Sequence, residues 1–227
     1  MMDNPNKTTK GDIAHSIAKS GIGAIPVIGS LASEIFGLIV TPPLEKRRAE
    51  WMNEVAQKLK ELESLGQVDF DKLKDNEEFL DIVLQSTSYA LKTSEKEKIN
   101  SLKNALLNTA KGESPDKTKS QIFLTQIDKF TKWHIKILKL IDNPRDWFER
   151  AGKQPPSYMM GSISSMLKDA FPELKSQDEL VDIIWKDLEN VGFHKTGSVK
   201  STMSGDGVLS ERTTEFGKEF LEFISNE

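Results

Sequence analysis

From Pro42 to Phe148 the apolar residues recur at intervals of three and four, a period that restricts the chain to packed helices. In "VTPPLEKRRAEWMNEVAQKLKELESLG", Thr41 can cap and Pro42 suits a first turn. Trp51, Val55, Leu59 and Leu62 then share one face until Gly66. "DNEEFLDIVLQSTSYALK" places Phe79, Ile82, Val83, Ser86 and Ala90 together. A capping box, Ser94–Glu97, opens a helix that carries Ile99, Leu102 and Leu106 to the breaker Gly112. Ser114–Pro115 starts another, in which Ile127, Phe130, Trp133, Ile137, Leu138 and Ile141 hold the period for four turns. Asn143–Pro144 stops it and begins a short helix with Trp147 and Phe148.

Two further segments precede these. Asp12 to Lys19 is a short amphipathic stretch ended by Gly21, and "GIGAIPVIGSLASEIFGLIV" (21–40) is the one strongly apolar run. A bilayer span needs roughly 20 apolar residues. Gly21, Gly23 and Pro26 break the first third, so continuous helix begins only near Pro26. Glu34 then falls near its middle, where a carboxylate costs about 2.5 kcal/mol or more on insertion. Gly29/Ser33 and Ser33/Gly37 are small-xxx-small spacings that allow close helix approach in lipid or in a protein core. Two readings stay open: a buried core helix, or a hairpin sheltered at rest and released to a membrane. Gly21, Gly23, Pro26, Gly29 and Gly37 are its conformationally special positions.

The fold class expected is mainly α: an N-terminal bundle of six or seven helices over 1–151, then a small winged-helix-like α+β module over 157–227. "GKQPPSYMMG" (152–161) is the linker between them. After it come helices near Ser162–Ala170 and Gln177–Val191. A two-stranded ribbon is expected from Phe193–Val199 and Val208–Thr213, with a final helix capped by Thr214. Helix, helix, ribbon, helix is the order of a winged helix.

Charge weighs against that module reading DNA. From Ser157 onward there are seven basic residues against thirteen acidic ones, a net of −6. The helix that would enter a groove carries Lys186 against Asp178, Glu179, Asp182, Asp187 and Glu189. Phosphate neutralisation supplies most of the affinity of such modules, so this one repels nucleic acid and is expected to dock a protein partner or a second copy. In "DKFTKWHIKILKLI", Lys129, Lys132, Lys136 and Lys139 form a stripe beside Trp133. That stripe is either a solvated helix face or a contact with an anionic membrane surface.

No chemistry-bearing motif is present. GxGxxG, GxxxxGK[ST] and GxSxG are missing, and the carboxylate pairs Glu61/Glu63 and Asp75/Glu78 sit on charged faces. The chain has no cysteine, which removes thiolate chemistry, and its histidines, His15, His134 and His194, lack metal-ligand spacing. No catalytic residue, cofactor or metal is expected, and His134 reads as structural. The polar amino terminus lacks the pattern of a secretion signal, so the expected location is cytoplasmic, with peripheral attachment to the inner membrane.

Three stretches carry a resemblance: "GAIPVIGS" with "PPLEKRRAEW"; "EEFLDIVLQSTSYALKTSEKEKINSLKNALLN"; and "LENVGF" with "TTEFGKEFLEFI". Together they resemble bacterial helical proteins near the Abi-alpha group, which is linked by name to abortive infection. The shared motifs are packing motifs, so no functional residue is carried over. The resemblance implies a cytoplasmic bacterial or phage protein of antiviral defence; from its residues the chain is expected to be non-enzymatic and to act through interaction. The alternative is a winged-helix transcriptional regulator.

Overall fold

The computed structural model describes residues 42–226. The expected helices over 12–19 and 26–40, the caps and glycines of 21–40, and Thr41 lie outside the described residues. The chain divides into two units, Met1–Arg47 and Arg48–Glu227. Only residues 42–47 of the first unit are described, as the opening turns of a helix; the account below concerns the second.

Eleven α-helices are found among the described residues, with one two-stranded sheet. Helix α1 runs Pro42–Ser64, α2 Phe70–Leu73, α3 Glu77–Lys92, α4 Lys96–Lys111 and α5 Lys117–Lys129. Helices α6, Lys132–Asp142, and α7, Pro144–Arg150, follow. Strand β1 is Met160–Gly161, then come α8, Ile163–Ala170, a 3-10 turn over Pro172–Leu174, and α9, Asp178–Val191. Strand β2 is Met203–Ser204, followed by α10, Gly205–Val208, and α11, Glu215–Ile224. The protein is mainly helical.

Most helix limits follow local chemistry. Gly66 and Gly112 take the left-handed φ of +71° and +79° that ends a helix, where a side chain would be strained. Asn76, Asn143 and Thr214 each cap the following helix through a side-chain oxygen. Three expectations are corrected. The capping box Ser94–Glu97 does not form: Glu95 holds the cap position without a side-chain bond. Glu95 instead accepts from the Lys132 N–H at the start of α6, at 3.1 Å, and Glu97 reaches Lys139, at 3.2 Å. The single helix expected from Ser114–Pro115 to Asn143–Pro144 is two helices, because Phe130 and Thr131 turn extended and Thr131 with His134 builds a capping box. The ribbon over 193–199 and 208–213 reduces to one bridge, His194 to Thr213, and Val208 ends a short helix instead. The sheet that does form pairs Met160 with Ser204 and Gly161 with Met203, antiparallel.

Helix α4 lies at the centre, packed by α3, α5, α6 and α11. Leu102, Ala105 and Leu106 are fully buried on it. The stretch 152–161 does not coincide with a break in the core. Phe123 of α5 packs on Phe193, Phe216, Phe220 and Phe223, all beyond that stretch. The buried Asn108 amide donates to the carbonyls of Glu222, Phe223 and Ser225 at 2.9–3.0 Å, so α4 caps the end of α11. Lys119 of α5 pairs with Glu219 of α11, at 2.6 Å.

Candidate protein-docking site

Helix α9 owes its start to charge rather than a side-chain cap. Gln177 makes no capping bond, while Asp178 and Glu179 oppose the positive end of the helix dipole. Gly192, at φ +86°, ends it. Val181, Ile184, Trp185 and Leu188 form the buried stripe. Asp187 on its flank meets His134 of α6 at 3.4 Å.

The chain after α9 wraps over Trp185 instead of forming a ribbon. The Trp185 Nε1–H donates to the carbonyls of Gly197, at 2.7 Å, and Thr196, at 3.2 Å. His194, fully buried, lies 4.0 Å from the indole between ring centroids. Its Nε2–H donates to the Trp185 carbonyl at 2.9 Å and its Nδ1 accepts from the Thr196 N–H at 3.2 Å. These two bonds define a neutral imidazole. A strand would have left the indole N–H without these acceptors.

The opposite side of α9 faces solvent. Ile183 is 57% exposed, with Glu179 one turn before it and Lys186 and Asp187 one turn after. Lys200 holds Asp182 at 2.5 Å and Lys168 holds Asp178 at 2.6 Å. Glu179 and Glu189 form no salt bridge among the described residues. Beside this face runs a groove of about 410 Å³ lined by Asp182, Trp185, Lys186, Glu189, Gly197 and Lys200. An apolar side chain ringed by carboxylates, next to a groove with acidic and basic walls, is a surface for a partner with an apolar anchor and basic flanks.

Of the residues singled out from sequence, Lys129 and Lys132 are exposed at the turn between α5 and α6. Lys136 is half-buried, and Lys139 is tied to Glu97. Trp133 is half-buried, edge-on to Phe171 at 5.5 Å. The apolar face beside the lysines is core, since Phe130, Ile137 and Leu138 are buried. His134 is buried: its Nδ1 accepts from the Thr131 N–H at 3.1 Å and its ring stacks on Phe130 at 4.6 Å. Ile183 was missed by the sequence reading. Its signal is that it falls off the stripe of Val181, Ile184 and Leu188, on the charged side. No group of three or more histidines and carboxylates is arranged to hold a metal among the described residues.

Burial lowers the proton affinity of both His134 and His194 below the ordinary histidine value. A group whose folded pKa lies below its unfolded one gives stability that is complete above about pH 6.5 and lost as pH falls. Lowering the pH from about 7.5 to 5.5 is therefore expected to decrease the urea midpoint. In an NMR titration both imidazoles should protonate below about pH 6.5. A His194 that titrates at or above the free value would contradict the neutral imidazole.

Comparison of the chain with protein-family models, with curated proteins and with solved structures returned no match.

Proposed function

We propose that this chain is a non-enzymatic interaction protein that docks a protein partner through the solvent face of α9. The observation that carries it is Ile183, a large apolar side chain left exposed among carboxylates, on a helix whose other face is fully used by the core. Burying an isoleucine against a partner contributes about 1.5–3 kcal/mol, enough to anchor a modest interface. The unpaired Glu179 and Glu189 select a basic surround.

The module around α9 is read as winged-helix-like. Supporting that, β1 precedes α8 and α9, and its antiparallel partner β2 follows them. The charge on α9 favours a protein over DNA as its occupant. On the resemblance to the Abi-alpha group, the setting we propose is bacterial antiviral defence.

A photo-crosslinking amino acid at position 183 tests the docking face in the cell of origin. One discrete adduct is expected, absent when the crosslinker replaces the exposed Met159. With the captured partner purified, Ile183→Lys should weaken binding roughly thirtyfold or more, the scale of an interface hot spot at about 2 kcal/mol. Equal affinity of Ile183→Lys and the parent would remove α9 as the docking face.

A further inference from the structure

The four tryptophans divide into two kinds. Trp51 and Trp185 are buried, and their indole N–H groups donate to Thr87 and to the Thr196 and Gly197 carbonyls. Trp133 and Trp147 are half-buried, and neither indole N–H has an acceptor among the described residues. These two are brought together by the fold. Phe171 stands edge-on between them, 5.5 Å from Trp133 and 5.0 Å from Trp147. The three rings come from α6, α7 and the turn after α8.

Ammonium groups sit over this aromatic row. The Nζ of Lys132 and of Lys136 lie 5.7 and 5.3 Å from the Trp133 ring centre, and that of Lys153 lies 5.8 Å from Trp147. None of the three has a carboxylate partner among the described residues. By contrast, Lys139 on the same stripe is bound to Glu97. Of the acids close in sequence to these rings and lysines, Glu95 accepts from the Lys132 backbone N–H and Asp146 holds Arg150 at 2.9 Å.

We infer that Trp133 and Trp147, held on either side of the buried Phe171, form with Lys132, Lys136 and Lys153 a platform that binds the headgroup layer of an anionic membrane. Half-buried indoles with a free N–H suit the boundary between water and hydrocarbon, where the ring is shielded and the N–H bonds a headgroup oxygen. Unpaired lysines held over the rings add attraction to anionic lipid that acts only within a Debye length of the surface. Duplex DNA fits less well, because its outer surface offers phosphates to the lysines but no apolar boundary for the half-buried indoles. No helix among the described residues is long and apolar enough to cross a membrane. The platform shares no residue with the α9 docking face.

The test uses the full chain and vesicles sedimented at about 0.1 M salt, where the Debye length is roughly 10 Å. Phosphatidylglycerol–phosphatidylcholine vesicles should bind on the order of a hundredfold more tightly than phosphatidylcholine alone, as three surface lysines provide. Replacing Lys132, Lys136 and Lys153 together by Gln should abolish that preference, whatever affinity remains for neutral lipid. Because Lys153 also donates to the Ala170 carbonyl, the pair Lys132→Gln, Lys136→Gln is the second variant, expected to lose about tenfold or more. Equal binding to neutral and anionic vesicles by the parent, or undiminished preference in the folded pair variant, overturns the inference. So does displacement from the vesicles by duplex DNA at equal phosphate concentration, which would make the platform a nucleic-acid surface. Crosslinking at position 183 reports separately on α9, so either idea can fail alone.

Discussion

Phe123→Ala is expected to cost about 3–5 kcal/mol of folding stability, as a fully buried phenylalanine does when truncated to alanine. The site gives little room for relaxation. Four rings surround Phe123, with centroids 4.9 Å away for Phe216, 5.3 Å for Phe220, 5.9 Å for Phe223 and 6.1 Å for Phe193. Their tilted and edge-on contacts add to the lost burial. Phe193 and Phe220 also stack on each other at 4.6 Å, so neither can swing into the cavity without breaking a second contact. Against a typical stability of 5–15 kcal/mol, the loss is a large share. In a unit of this size it should lower Tm by roughly 10 °C. The parent and the variant should each unfold in one transition by circular dichroism and by tryptophan emission, since the ring cluster joins α5 to α11. A loss below about 1 kcal/mol, or two resolved transitions in the parent, would contradict this account of the core.

Gly217→Ala is the second large effect, and its sign opposes helix propensity. Alanine is favoured over glycine inside a helix by about 1 kcal/mol, so propensity alone predicts a gain. A Cβ at position 217 would stand 2.6 Å from Thr213 Cγ2, 2.7 Å from the Phe193 carbonyl oxygen and 3.2 Å from Phe193 Cα. The carbonyl cannot yield cheaply, because it accepts from the Thr214 N–H at 2.9 Å. The Thr214 hydroxyl in turn donates to the Gly192 carbonyl at 2.6 Å and caps α11 through the Gly217 N–H at 3.1 Å. Moving α11 away would break the cap and open the Phe193–Phe220 stack. Overpacking of 1–3 kcal/mol or more should therefore exceed the propensity gain, leaving a net loss of about 2 kcal/mol. Urea titration of Gly217→Ala would decide it, and a raised midpoint would show that the chain after α9 is loosely held.

Legibility from sequence followed the range of the interactions. The stripes Trp51–Val55 and Phe79–Ile82–Ser86–Ala90 were readable because a buried helix face repeats every 3.6 residues. The ends at Gly66, Gly112, Asn143–Pro144 and Thr214 were readable because each acts on its own backbone. Glu95 was not, because it is turned toward a helix that begins 37 residues later. The break at Phe130–Thr131 was hidden by an apolar period that continues through it, since both helices bury the same side.

The candidate surfaces divide the same way. Acidity of α9 and the lysine stripe of α6 are visible in the letters. That Ile183 of α9 is left outside, and that Trp147, Phe171 and Lys153 join Trp133 and its lysines, depends on packing between segments far apart in sequence.

Sequence alone determined that the chain is mainly helical, where most helices start and stop, and that the C-terminal part is acidic. Those properties reside in side chains acting within about one helical turn. Tertiary structure decided that α4 and α5 share one core with α11, that the segment after α9 covers Trp185 rather than pairing as a ribbon, and that two tryptophans keep free N–H groups beside unpaired lysines. Each of these depends on which distant groups compete for the same donor, acceptor or buried volume, and a linear pattern carries no record of that competition.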